Sequence, residues 1–184
     1  YRSNSIFIAK QITVMQFKYF LLIINLVFIT SCSVDQSMKP EEFKDQKPRL
    51  IIEEYLSGNV KAWGILQNRS GKVTRQFSAD LNGTWDGKQL ILDEKFYWND
   101  GEKQTRQWQI TKIDEHNYEG TAGDVVGTAK GYSYGPAFKF EYVLLVPVKG
   151  REIKITFDDW IFMQDEKVAI NRATMTKFGI KVAE

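Results

Sequence analysis

The chain has one cysteine and one histidine in 184 residues, and these two shortages exclude whole classes of chemistry. A single thiol, Cys32, makes no internal disulfide, so no covalent staple is expected in the fold. A single imidazole, His116 in the turn "DEHN", leaves out histidine-rich metal sites and histidine-activated nucleophiles of familiar kinds. It is expected to be a solvated surface residue. No glycine-rich loop with a following lysine is present to cradle phosphate, and no calcium-loop spacing occurs. No apolar run reaches the roughly 20 residues of a typical spanning helix. Charge of one sign is missing too: 25 basic against 23 acidic residues leave +2, which gives no nucleic-acid footprint. Neither a metal nor a cofactor is expected.

What is present begins with "MQFKYFLLIINLVFITSC", Met15 to Cys32. One lysine, a short apolar run and small residues before a cysteine make the layout of a secretory signal peptide. Ile29-Thr30-Ser31-Cys32 resembles a bacterial lipobox, which makes Cys32 the expected lipid attachment point. Acyl chains there, at about 0.8 kcal/mol per buried methylene, would anchor the domain. Ser33 follows, where an aspartate would resemble an inner-membrane retention signal, so the expected address is the periplasmic face of the outer membrane. Residues 1–14 read as an upstream extension, 15–31 as the signal peptide and 32–49 as a polar tether carrying Pro40 and Pro48. All the acids lie beyond Cys32. The pI of about 8.5 therefore belongs to the whole chain, and the mature balance is slightly negative.

From Gly58 onward, hydrophobicity alternates with period two. Nine runs follow: 60–67, 72–84, 88–98, 102–113, 117–122, 126–134, 137–148, 151–164 and 167–178. Short turn signals such as Asp86-Gly87, Asn99-Asp100-Gly101, Lys149-Gly150 and Asp165-Glu166 separate them. No long helical pattern interrupts them, although "RLIIEEYL" before Gly58 suits a short N-terminal helix. About nine successive strands tend to curl. The predicted fold is therefore all-β, an antiparallel meander forming a lipocalin-like (calycin-type) barrel or half-barrel over residues 50–184, with a two-sheet sandwich as the rival. Gly123, Gly127, Gly131 and Gly135 recur every four residues and mark bends or close approaches of the backbone.

Successive strand residues face opposite ways, so Asp158 and Asp159 do not share a site. Folding the last hairpin about Asp165-Glu166 sets Asp159 opposite Arg172. The loop Asn99-Asp100-Gly101 pairs Leu90 with Ile110, Leu92 with Trp108 and Glu94 with Arg106. Folding about Asp86-Gly87 pairs Leu81 with Leu92, Phe77 with Phe96 and Arg75 with Trp98, where a cation can stack on the ring. The candidate ligand or ion-pair cluster is thus Arg75, Glu94, Trp98, Arg106, Trp108, Asp124, Asp159 and Arg172. It reads as a register-fixing ion network, as a polar site for the anionic headgroup of a small amphipathic ligand with Arg75, Arg106 and Arg172 converging at the polar end, or as a carboxylate-dependent hydrolase using Glu94 or Asp159. Arginine partners would lower both carboxyl pKa values, which speaks against a general acid. The balance points away from an enzyme, and no catalytic residue is assigned. A solid-core interaction domain in the envelope is the alternative to ligand carriage.

A family resemblance adds to this. "AWG" at Ala62, "LDEKFYW" at Leu92, "RQW" at Arg106, "YEGTAGDVVGTAKG" at Tyr118, "FDDW" at Phe157 and "NRATMTKFG" at Asn171 together resemble the bacterial lipoproteins grouped as domain-of-unknown-function family 3833. The resemblance runs from about Tyr55 to Val182. It departs at Asn68-Arg69, where the family pattern suggests Asp-Arg, and at Gly135-Pro136-Ala137, where it suggests Gly-Asn-Ala. It implies a lipoprotein address and a compact domain, and it names no substrate.

Overall fold

The alternating runs become one antiparallel sheet in the computed structural model, which describes residues 37–184. Ten strands pair in sequence order: β1 (Gly58–Gln67), β2 (Val73–Trp85), β3 (Gln89–Trp98), β4 (Lys103–Lys112), β5 (Asn117–Thr121), β6 (Ala129–Tyr134), β7 (Ala137–Val148), β8 (Arg151–Met163), β9 (Ala169–Lys177) and β10 (Ile180–Ala183). The tenth strand was not expected. A turn at Phe178-Gly179 folds the chain back so that Ile180 pairs with Lys177. The upstream extension, the signal-peptide segment, Cys32 and the start of the tether lie outside the described residues.

The meander is an open half-barrel rather than a sandwich. Its ends meet at one bridge, Asn68 with Ala183, where Gln67 and Glu184 exchange backbone hydrogen bonds of 2.7 and 3.0 Å. The inward residues of β3, β4, β7 and β8 supply Leu90, Leu92, Trp108, Ile110, Phe140, Leu144 and Phe157 to a single core. Aromatic rings pack in series through it: Trp108 lies 5.1 Å from Phe140 and 5.2 Å from Tyr142, and Tyr142 stacks on Phe157 at 5.0 Å. Such ring pairs add to the area they bury.

One end of the half-barrel is plugged. The short helix α1 (Ile52–Tyr55) and its flanks insert Leu50, Ile52 and Leu56, all buried. Leu50 donates its N–H to the Gly135 carbonyl at 2.8 Å and accepts from Ser133 Oγ at 3.2 Å. Gly83 makes room for the plug, because a Cβ there would drive into the Leu56 carbonyl. Residues 40–49 are not a free tether: Lys39–Glu184 form one compact unit. Phe43 packs on Trp160 and Phe162 on the outer face of β8, and this contact buries an outward tryptophan.

Two registers differ from expectation for one physical reason. Asp165 Oδ1 accepts the N–H groups of Lys167 and Val168 at 2.8 Å each, which adds a residue to the loop. Asp159 therefore opposes Ala173, Trp160 opposes Arg172, and Arg172 sits on the face away from Asp159. A one-residue slip flips every side chain. Asp86 Oδ1 likewise captures Lys88 and Gln89, at 2.8 and 2.7 Å, and shifts β2 against β3 by two residues. Phe77 then opposes Trp98 and Leu81 opposes Glu94, with faces preserved. The β3–β4 hairpin has the expected register, with Glu94 opposite Arg106. Of the four spaced glycines only Gly131 lies in a strand; Gly123 and Gly127 fall in the β5–β6 connection and Gly135 in a turn with φ 53°.

Candidate functional site

β5 and β6 are short, so β4 pairs with β5 only from Gln109 onward. A cleft of roughly 690 Å³ opens between the first half of β4 and the last half of β7, lined by Arg106, Gln107, Asp124, Leu144, Val146 and Pro147 among others. The β5–β6 connection is tied across it. Val126 N–H bonds to Val143 O at 2.8 Å and Leu145 N–H to Asp124 O at 2.9 Å.

That backbone tie aims Asp124 at Arg106. Arg106 donates from Nε to both Asp124 oxygens at 3.1 Å and from Nη2 to Oδ2 at 2.8 Å, a fork-on-carboxylate fit. Its Nη1 lies 3.5 Å from Glu94 Oε2. Arg106 and Glu94 are nearly buried, with side chains 13% and 12% exposed. The strongest donors of the guanidinium thus face Asp124, and Glu94 Oε2 is left buried without a hydrogen-bond partner.

Beyond this pair, Tyr142 donates its hydroxyl to Asp159 Oδ2 at 3.0 Å and Asn171 Nδ2 donates to Oδ1. Neither donor is a cation. Burial pushes the Glu94 carboxyl up to about 7 against the pull of Arg106, with Asp159 adding to the rise. Burial likewise raises Asp159 to about 6 against its two hydrogen bonds. This corrects the expected lowering: one arginine serves the interior, it is engaged mainly by Asp124, and desolvation dominates. Two buried carboxyls with raised affinity for a proton thus act on each other through the interior, and neither of them lines the cleft itself.

The other sequence candidates part company. Arg75 stacks on Trp98 at 4.0 Å although the two are not directly opposed. Asp100 and Glu102 hold it at 2.7 Å. Trp98 Nε1 is buried with no acceptor. Trp108 packs in the aromatic core, its ring 5.9 Å from the Arg106 guanidinium. Arg172 is exposed and makes no ion pair with another described residue. His116 is half-buried rather than fully solvated: it stacks on Tyr134 at 4.2 Å, and its Nδ1 lies 2.8 Å from Ser133 O.

Sequence reasoning missed three polar participants. Tyr142 was readable, since it alternates with Phe138, Phe140 and Leu144 on an apolar face. Asn171 was hidden by the register slip. Glu53, buried in the plug, gave no signal: it pairs with Lys112 and accepts from Tyr118 Oη at 2.9 Å. Burial alone would raise its pKa, but Lys112 and Tyr118 bring it below the usual value. Among the described residues no group of acids, histidine or cysteine is arranged to hold a metal, and no helix is long and apolar enough to cross a membrane.

A family model described as "Protein of unknown function (DUF3833)" matches residues 26–184. No curated protein and no solved structure matches the chain.

Proposed function

We propose that this chain, which belongs to the DUF3833 family of proteins of unknown function, is a lipid-anchored envelope protein whose half-barrel binds a small amphipathic ligand. The observation that carries the reading is Glu94 Oε2, a buried carboxylate oxygen with no hydrogen-bond partner, 3.5 Å from the guanidinium of Arg106, which lines the cleft. An unpaired buried acceptor costs stability unless something supplies a donor. The polar end of the ligand supplies it, through a hydroxyl or amine directed at Glu94. Its apolar part lies along Leu144, Val146 and the rings behind them. With Arg106 already gripped by Asp124, the site disfavours the anionic headgroup that three converging arginines would have taken. The sequence around Cys32 supports the anchor, and Ser33 after it supports an address on the periplasmic side of the outer membrane.

The test is native mass spectrometry of the full chain released from its own membranes in mild detergent. A reproducible bound mass that disappears in Glu94→Leu supports the reading, and a bare protein mass throughout overturns it. The mass of the peptide beginning at Cys32 checks the acyl anchor.

A second reading, acid–base hydrolysis, draws on the Glu94 carboxyl near 7 and the Asp159 carboxyl near 6 in one site. Turnover of a glycosidic or ester substrate that Glu94→Gln abolishes while the fold persists would establish it.

A further inference from the structure

In a meander, connections alternate between the two ends of the sheet. The plugged end receives β2–β3, β4–β5, β6–β7 and β8–β9, while the open end receives β1–β2, β3–β4, β5–β6, β7–β8 and β9–β10. The two ends differ in charge. At the plugged end the turns carry Asp86, Asp114, Glu115, Asp165 and Glu166 against Lys88 and Lys167; Ile113 is exposed beside Asp114, Val168 is exposed beside Lys167, and Glu115 is paired with Arg49.

The open end is the reverse. Its acids are mostly engaged: Asp100 and Glu102 hold Arg75, Asp124 holds Arg106, and Glu184 pairs with Lys181. Its turn cations are not. Arg69, Lys72, Lys149, Arg151 and Lys177 make no ion pair with any described residue, and Glu152 is the one acid at that end in the same condition.

Exposed apolar side chains accompany those cations turn by turn: Val73 after Lys72, Val148 before Lys149, and Phe178 after Lys177. Phe178 is 92% exposed, and its φ of 52° is a conformation that bulky residues seldom adopt. The backbone there holds a ring out into solvent, with Lys177 Nζ 5.4 Å from its centroid.

We propose that the open end of the half-barrel docks on an anionic lipid bilayer, its cations meeting the phosphates and Phe178 with the valines entering the headgroup layer. Interleaved cations and apolar tips at one end of a domain match the two attractions of such a surface, burial of apolar groups and attraction to negative lipids. Nucleic acid offers no medium for the apolar tips, and an acidic protein would have to supply both chemistries in register. At the plugged end acids outnumber cations in the turns that carry Ile113 and Val168, so net charge selects which end approaches. This does not depend on what the interior binds, nor on the acyl anchor.

The test uses the full chain and vesicles of phosphatidylcholine alone or with phosphatidylglycerol, read by flotation. Comparing the two lipids cancels whatever the N-terminal segment contributes equally to both. Binding should be stronger with phosphatidylglycerol and weaken as salt is raised. The triple reversal Lys72→Glu, Lys149→Glu, Lys177→Glu should weaken the phosphatidylglycerol-dependent part by at least ~100-fold, taking each lost cation as worth about fivefold. Phe178→Ser should weaken it at unchanged salt sensitivity. Hydrogen exchange on the bound chain, a readout independent of the variants, should slow at 68–73, 148–151 and 177–180 and not at 113–116 or 164–168. Equal binding to both lipids, insensitivity to the reversal, or protection at the plugged end overturns the proposal, as does capture of nucleic acid or an acidic protein by these cations in preference to lipid.

Discussion

Arg106 closes on Asp124 with Nε and Nη2 at 2.8 to 3.1 Å, while its Nη1 stops 3.5 Å short of Glu94. The unequal division of one guanidinium between two acids governs the electrostatics of the interior.

Glu94 sets the first expectation. Its folded pKa, raised to about 7, means that the folded state binds more protons than the unfolded one between about pH 4.5 and 7. Its contribution to stability is therefore lost as pH rises through that window, by up to about 1.4 kcal/mol per pH unit. Glu94→Gln, which keeps an acceptor for Arg106 and cannot ionise, should raise the melting temperature at pH 8 and change it little at pH 5. A lower melting temperature at pH 8 would contradict the argument.

Asp124 sets the second. Asp124→Asn removes the charge that holds Arg106, so the guanidinium should turn to Glu94 and pull that carboxyl below its raised value. Asp124 is part-exposed, and the loss of stability should be about 1–3 kcal/mol. Urea unfolding gives the energy, and carbon NMR of labelled glutamate gives the titration.

For Asp159 the partner is Tyr142 rather than Arg172. A double-mutant cycle pairing Asp159→Asn with Tyr142→Phe should show coupling of roughly 0.5–3 kcal/mol, and one with Arg172→Ala should be additive within about 0.5 kcal/mol. Coupling to Arg172 would restore the register that the sheet does not have.

At the plug, Gly83→Ala should cost about 1–3 kcal/mol, because the Leu56 backbone must move to admit a methyl. Amide exchange should speed up first at residues 50–56. Unchanged protection there would mean that the plug does not bear on Gly83.

The meander and the β3–β4 pairing were legible because period two and the loop Asn99-Asp100-Gly101 both specify them. The other two hairpins were misread through a single device: an aspartate at the head of the turn whose side chain takes the next free amides. Asp86 added two residues to its register and did no harm to the faces. Asp165 added one and exchanged them. The misreading was encouraged by Val168 and Ile170, apolar residues that match Met163 and Ile161 in pattern yet are more than half exposed. The interior of β9 is built instead from Ala173 and Met175, with Asn171 reaching Asp159. At the site, the sequence named Glu94, Arg106, Asp124 and Asp159 but assigned partners by proximity along a ladder. Asp124 was named without a partner, because it arrives from a connection outside any strand, where ladder register fixes no neighbour.

The bridge between Asn68 and Ala183 works as a clasp. Releasing it breaks the two backbone hydrogen bonds between Gln67 and Glu184 and leaves every strand ladder intact. The seam between the first and last strands is therefore the line along which the wall is held by the fewest backbone hydrogen bonds.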